Sequence, residues 1–353
     1  MNTNKSDPIS MVDARSPVTA ASNPNGQGKS LVAKDELKRW MTPQPIRSIR
    51  DLFLDWLGIV LAFVAVTWMP TWWMYSIAFI VVGCCQYALF ILGHDAIHLS
   101  LHPNRVLNDT LAKWAIHGPM FMGLEDGRRS HLEHHRTLGT ASDPDRYLHT
   151  LSNKNSRVKF LIFCSGLATF GKTVLKVTPF GKLLSSNPPL ATEAYQSKKL
   201  STSVGQMLLD YTRQRVPVFV TQTLLISIFA FSTLPLWSYL VLWVAPIYFC
   251  VFLPDEIRAF CDHAVPVLPD SKADSSRLVT FRPSWIEAIL FSPHNMNYHA
   301  EHHLYPGVPY YNLPLVHQVV KDSSEVTVRG SYIVFLFYVI RLLPLQDSTE
   351  AAS

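Results

Sequence analysis

The stretch LFLDWLGIVLAFVAVTWMPTWWMYSIAFIVVGCCQYALFIL, residues 52–92, runs for 41 residues without a Lys, Arg or His. A helix needs about 20 residues to cross a ~30 Å hydrocarbon core. The block is therefore long enough for two crossings, and Met69-Pro70-Thr71 breaks it near the middle. Trp68, Trp72 and Trp73 flank that break, where an interfacial aromatic belt belongs. A second block, residues 216–253, repeats the design and breaks at Leu234-Pro235-Leu236, beside Trp237. The expected architecture is all-α integral membrane: four transmembrane helices, about 52–69, 72–92, 216–234 and 236–253, paired as two hairpins. Burying both blocks in a soluble protein would take a larger polar shell than 353 residues supply.

Composition agrees. Hydrophobic residues make up 48% and charged residues 16%, below the roughly 25% charged of ordinary soluble domains. The net charge of +5 is spread through the loops rather than gathered into a stripe, so a nucleic-acid partner is not expected. The five cysteines form no C-x-x-C pair, which supports neither a disulfide framework nor a zinc ribbon.

Lys34, Lys38, Arg39, Arg47 and Arg50 precede the first hairpin, Arg105, Arg128, Arg129 and Arg136 lie between the hairpins, and Arg258, Arg277 and Arg282 follow the second. Neither tight turn carries a Lys or Arg. The positive-inside rule then puts both termini and the central region in the cytoplasm. Residues 1–45 read as a disordered polar tail with no cleavable signal. Residues 46–345 form the working domain, and 346–353 a C-terminal tail without a Lys-Asp-Glu-Leu signal, which points to a bacterial inner membrane over the endoplasmic reticulum.

All 14 histidines fall on the expected cytoplasmic side, within 94–149 and 263–317. His94 and His98 are spaced i, i+4 at the end of a span, so they share a helix face. His131-Leu-Glu-His134-His135 and His299-Ala-Glu-His302-His303 repeat one pattern, H-x-x-H-H. The outer histidines of each share a face, while the adjacent one points about 100° away. Each cluster can thus touch two metals, which favours a two-metal helical cap. Glu133, Glu301 and Asp95 are candidates to hold the outer ring nitrogens, or are ordinary helix charges. Imidazole suits zinc, copper, iron and nickel. An all-nitrogen site at a lipid boundary suits redox iron acting with dioxygen, with zinc hydrolysis as the rival.

At these residues the chain resembles the membrane fatty acid desaturase superfamily, from about Leu52 to Pro314. The likeness lies in the three boxes and in the text around them: Asn104-Arg-Val-Leu-Asn-Asp109, His135-Arg136 with Gly139-Thr140 and Asp143-Pro-Asp145, and Asn297-Tyr-His299 running into His303-Leu-Tyr-Pro306, Pro309 and Asn312-Leu-Pro314. The resemblance implies a four-span protein with a helical cytoplasmic cap carrying two non-haem irons. It implies as ligands His94, His98, His131, His134, His135, His299, His302 and His303. A ninth, His263, comes from the similar segment Arg258-Ala-Phe-Cys-Asp-His263. His102, His117, His149, His294 and His317 match no box.

The implied activity is an oxygen-dependent desaturase that places a C=C bond in a fatty acyl lipid or thioester. The alternative is a hydroxylase or ketolase of the same superfamily acting on a carotenoid, alkane or sphingolipid. The third box opens with His299 rather than the Gln of front-end desaturases, and no His-Pro-Gly-Gly motif occurs. Electrons are therefore expected from a separate ferredoxin or haem cytochrome. The expected partners are a lipid or fatty acyl substrate, dioxygen, that donor and the membrane.

Overall fold

The structure, a computed structural model, describes residues 31–151, 154–167, 204–263 and 278–345. Two long helices open the domain. Helix α1 (Lys34–Trp40) is a short preliminary turn. It ends the expected polar tail earlier than residue 45, because Leu37 and Trp40 pack on an apolar cluster around Val32, Leu304, Leu313 and Val316. Helix α2 (Pro45–Trp68) begins with proline at its first position, where the missing N–H costs nothing. It stops at Met69-Pro70, and α3 (Trp72–Ile97) returns against it. Trp68 and Trp72 stand 89% and 82% exposed at the turn, as anchors at a membrane interface should.

Three helices are long and apolar enough to cross a membrane: α3, residues 211–231 of α8 (Val204–Phe231), and the 27-residue α9 (Trp237–His263). Every described helix of the expected hairpins extends the apolar run at its polar end, so α3 continues five residues past Leu92 and α9 ten past Leu253. Those extra turns bring His94 and His263 onto helix ends.

Helix α3 is apolar around its whole circumference, the signature of a helix surrounded by others. It packs on α2 and α9. A Cβ at Gly83 would run into Cys250 of α9, so glycine lets the two backbones approach. Helix α9 is not regular. Its turns over Leu240–Val244 and Ile247–Phe252 are π-helical. Each precedes a proline, Pro246 or Pro254, whose ring pushes away the carbonyl four residues earlier and widens the turn. Outward faces of α2 and α8 keep Phe53, Val60, Leu61, Val64, Phe219 and Leu224 exposed, an apolar belt suited to lipid.

The other described helices are shorter: α4 (Arg105–Leu111) running into a π turn Ala112–His117, α5 (Leu124–Thr137), α6 (Arg146–His149), α7 (Arg157–Cys164), α10 (Trp285–Phe291), α11 (His299–Leu304), α12 (Leu313–Val320) and α13 (Tyr332–Leu342). Strands β1 (Val279–Phe281) and β2 (Thr327–Arg329) pair in parallel, Val279 opposite Thr327. This small ladder is the one departure from an all-helical fold among the described residues, and hydrophobic patterning gave no hint of three-residue strands. Trp56 of α2 and Trp243 of α9 stack at 5.8 Å. Their indole N–H groups donate to the carbonyls of Ala115 and Pro119 at 2.9 and 3.0 Å, which ties α2 and α9 to the segment that follows α4.

Candidate metal centre

Four helices deliver the histidines. His94 lies in the last turn of α3, and His98 caps it. Helix α5 carries His131, His134 and His135, α11 carries His299, His302 and His303, and His263 is the last residue of α9. All nine sequence-predicted residues come together, in two groups. His94, His98, His131, His135 and His302 form one; His134, His263, His299 and His303 form the other. The H-x-x-H-H pattern splits as helical geometry demands: on α5, His131 and His135 face the first group and His134 the second. On α11 the division is reversed, His302 going to the first group and His299 with His303 to the second.

The ring nitrogens converge. His135 Nε2 is 2.9 Å from His131 Nε2 and 3.1 Å from His302 Nε2. His299 Nε2 is 2.9 Å from His263 Nε2 and 3.0 Å from His303 Nε2. A single Nε2 carries one proton or one lone pair, so a nitrogen meeting two others at once is best served by a shared cation. With metal–imidazole bonds of ~2.1 Å, nitrogens at right angles around one ion sit about 3.0 Å apart, against about 3.4 Å in a tetrahedron. The observed spacing is short enough for these nitrogens to share one ion. The first group alone offers five imidazoles, more than a tetrahedral structural zinc takes. Neither ring nitrogen of buried His94 makes a hydrogen bond, a costly state that a bound cation relieves.

Electrostatics favour the ligating form. Burial first, then the neighbouring imidazoles, push His131, His135, His299, His302 and His303 well below the usual histidine range. They are neutral at pH 7, and the neutral ring is what binds a metal.

The supporting groups differ from those the sequence suggested. Glu133 turns outward and pairs with Arg136. Asp95 accepts from the backbone N–H of Tyr310 at 2.9 Å. Glu301 is fully buried but serves Thr280 and His317, the latter at 2.6 Å from Nδ1. The carboxylate that meets a box histidine is Asp143, whose Oδ1 lies 2.9 Å from His134 Nδ1. Burial alone would raise the Asp143 carboxyl, but the hydrogen bond with His134 and then the nearby His149 outweigh it and hold it below the usual carboxylate range. On the other side, buried Arg258 bridges Asp255 and Asp262 at 2.7 Å each and reaches His299 Nδ1 at 3.3 Å. The signal for Asp143 lay in Asp143-Pro-Asp145, eight residues beyond His135, but spacing cannot say which histidine a loop carboxylate reaches.

Four of the five unassigned histidines stand apart from both groups. His102 Nδ1 accepts from the Asn104 N–H. His117 bonds the Ala112 carbonyl. His294, at φ 50°, holds Asp55 at 3.1 Å. His317 holds Glu301. The fifth, His149, lies against the second group.

The family model for fatty acid desaturases matches residues 70–330. The chain belongs to the fatty acid desaturase family. That membership makes it an oxygen-dependent oxidoreductase, and the histidine groups are the part of it that could hold metal. Similar proteins include an sn-1 acyl-lipid omega-3 desaturase (ferredoxin) of Nostoc sp., 21% identical over 79% of this chain and 76% of the relative. An sn-1 oleoyl-lipid 12-desaturase of Anabaena variabilis is 23% identical over 71% of this chain and 70% of its own. A zeaxanthin 4-ketolase of Chlamydomonas reinhardtii is 24% identical over 71% of this chain and 44% of its own.

Proposed function

We propose that this protein is a di-iron acyl-lipid desaturase that introduces a C=C bond into a membrane lipid, with electrons from a ferredoxin-type donor. The observation that carries the reading is the sorting of nine histidines, eight buried and His131 half-buried, into groups of five and four with nitrogen spacings of 2.9–3.1 Å. All-imidazole groups of this size suit redox iron better than zinc. The desaturase relatives supply the substrate class, and the ferredoxin in the Nostoc relative's name supplies the donor class.

Bound iron would activate dioxygen for attack on an unactivated C–H bond, with His94, His98, His131, His135 and His302 on one ion and His134, His263, His299 and His303 on the other. The chain's own work is placement. The two groups are buried, so water is kept away from a reactive centre. Asp143 fixes the ring orientation of His134 in the second group by accepting from its Nδ1–H.

We read the membrane arrangement as four spans with both termini and the cap cytoplasmic. Helix α2 is the fourth span: its 24 residues measure about 36 Å, and its partner α3 runs back beside it. The apolar turns at 69–71 and 232–236 carry no Lys or Arg, while every histidine group lies at the opposite helix ends.

The test is expression in a host of defined lipid content with mass spectrometry of lipids and carotenoids. A product lighter by two hydrogens supports desaturation. A carotenoid product that gains one oxygen and loses two hydrogens favours the ketolase reading that the Chlamydomonas relative motivates, and a product heavier by one oxygen alone favours a hydroxylase. Purified protein carrying stoichiometric zinc and no iron overturns both.

A further inference from the structure

The two histidine groups are unequal, five against four, and a tenth imidazole lies beside the smaller one. His149 ends the one-turn helix α6 (Arg146–His149) and is only 2% exposed. Its ring centroid stands 4.5 Å from that of His263 and 5.3 Å from that of His134. Its Nδ1 stands 3.5 Å from Asp143 Oδ2, and neither ring nitrogen makes a hydrogen bond. An imidazole buried this deeply with a bare nitrogen is costly.

Asp143 lies next to both rings. One carboxylate oxygen meets His134 Nδ1 and the other faces His149 Nδ1. A metal-bound histidine commonly gives its outer N–H to a carboxylate, which turns the far nitrogen towards the ion. Here Asp143 bonds His134 in that manner and stands beside His149 without bonding it. The carboxylate is itself pinned by the backbone N–H groups of Gly139 and Asp145, at 3.3 and 2.9 Å.

Resting on the di-iron reading above, we propose that His149 is the fifth imidazole of the second group and ligates that ion through Nε2. Both ions would then have five histidines. The second would gain a ligand from the one-turn helix α6 rather than from one of the helices that carry the boxes.

The test compares wild type, His149→Ala, His149→Gly and a control, His102→Ala, all purified with 57Fe. The readouts are iron per chain, the rate of iron loss to a chelator, and the Mössbauer spectrum. The expected result is that loss from one of two sites quickens by about 10- to 100-fold in His149→Ala, while the other site is unchanged. One Mössbauer doublet should shift, and added imidazole should restore it in His149→Gly. A merely structural histidine would not be rescued by free imidazole. Unchanged iron content, release and spectrum in a folded His149→Ala protein overturns the assignment, as does equal weakening of both sites. If His149→Ala does not fold, the imidazole response of His149→Gly, grown with imidazole present, decides alone. If the wild type holds zinc instead, the iron reading fails, and chelator-driven zinc release from the same variants still answers the question about His149.

Discussion

Replacing Asp143 with Asn tests the second histidine group at its outer edge. The change keeps the shape and removes the charge. In the native protein Asp143 is 5% exposed and acts only as an acceptor: Oδ1 faces His134 Nδ1 and the Asp145 N–H, and Oδ2 faces the Gly139 N–H. An amide cannot satisfy this set. If its oxygen takes the His134 side, its NH2 opposes the Gly139 N–H; reversed, it opposes His134. Either way a donor is buried against a donor. A hydrogen bond to a charged group is worth about 1.5–3 kcal/mol, and the loss of such an outer partner typically weakens metal binding about 10- to 100-fold. The two magnitudes agree, since about 1.4 kcal/mol is tenfold. Competition with a chelator, read as metal per chain, should show one of two ions weakened by that factor while the other holds. Weakening of neither ion, or of the His94 group instead, would refute the assignment of Asp143 as the carboxylate that orients His134.

Other expectations follow from the same geometry. Arg258→Lys should lose the bridge between Asp255 and Asp262, because an ammonium cannot replace a planar fork. Losing one hydrogen bond to a buried charge costs about 1.5–3 kcal/mol, so a drop in detergent unfolding midpoint should appear; an unchanged midpoint would count against it. Gly83→Ala should force α3 away from Cys250, with an overpacking cost of about 1–3 kcal/mol visible in the same unfolding assay while His134 and its partners keep their metal. Metal-free protein should lose stability on acidification below about pH 6.5. The buried rings of His131, His135, His299, His302 and His303 resist protonation, so the unfolded chain takes up more protons there and gains. A melting temperature that stays level or rises between pH 7 and 5.5 would contradict that sign.

The sequence by itself determined the helices and the ligand types. Long runs without Lys, Arg or His leave few alternatives to helices in lipid, because unsatisfied backbone groups are intolerable there. H-x-x-H-H on a helix divides its imidazoles between two directions, and the split of His131 and His135 from His134 follows from about 100° per residue. Tertiary structure decided what those directions meet. That His302 joins the His94 group while His299 and His303 join His263 depends on how α11 docks against α3, α5 and α9, which no local period encodes. It also decided the carboxylates: Glu301, inside a box, turns to Thr280 and His317, while Asp143, outside every box, reaches His134. Periodicity carries information along one helix axis. A residue outside the boxes, such as Asp143 in a loop or His149 at the end of α6, gets its neighbours only when separate helices close around it, so its role appears in the fold and not in the spacing.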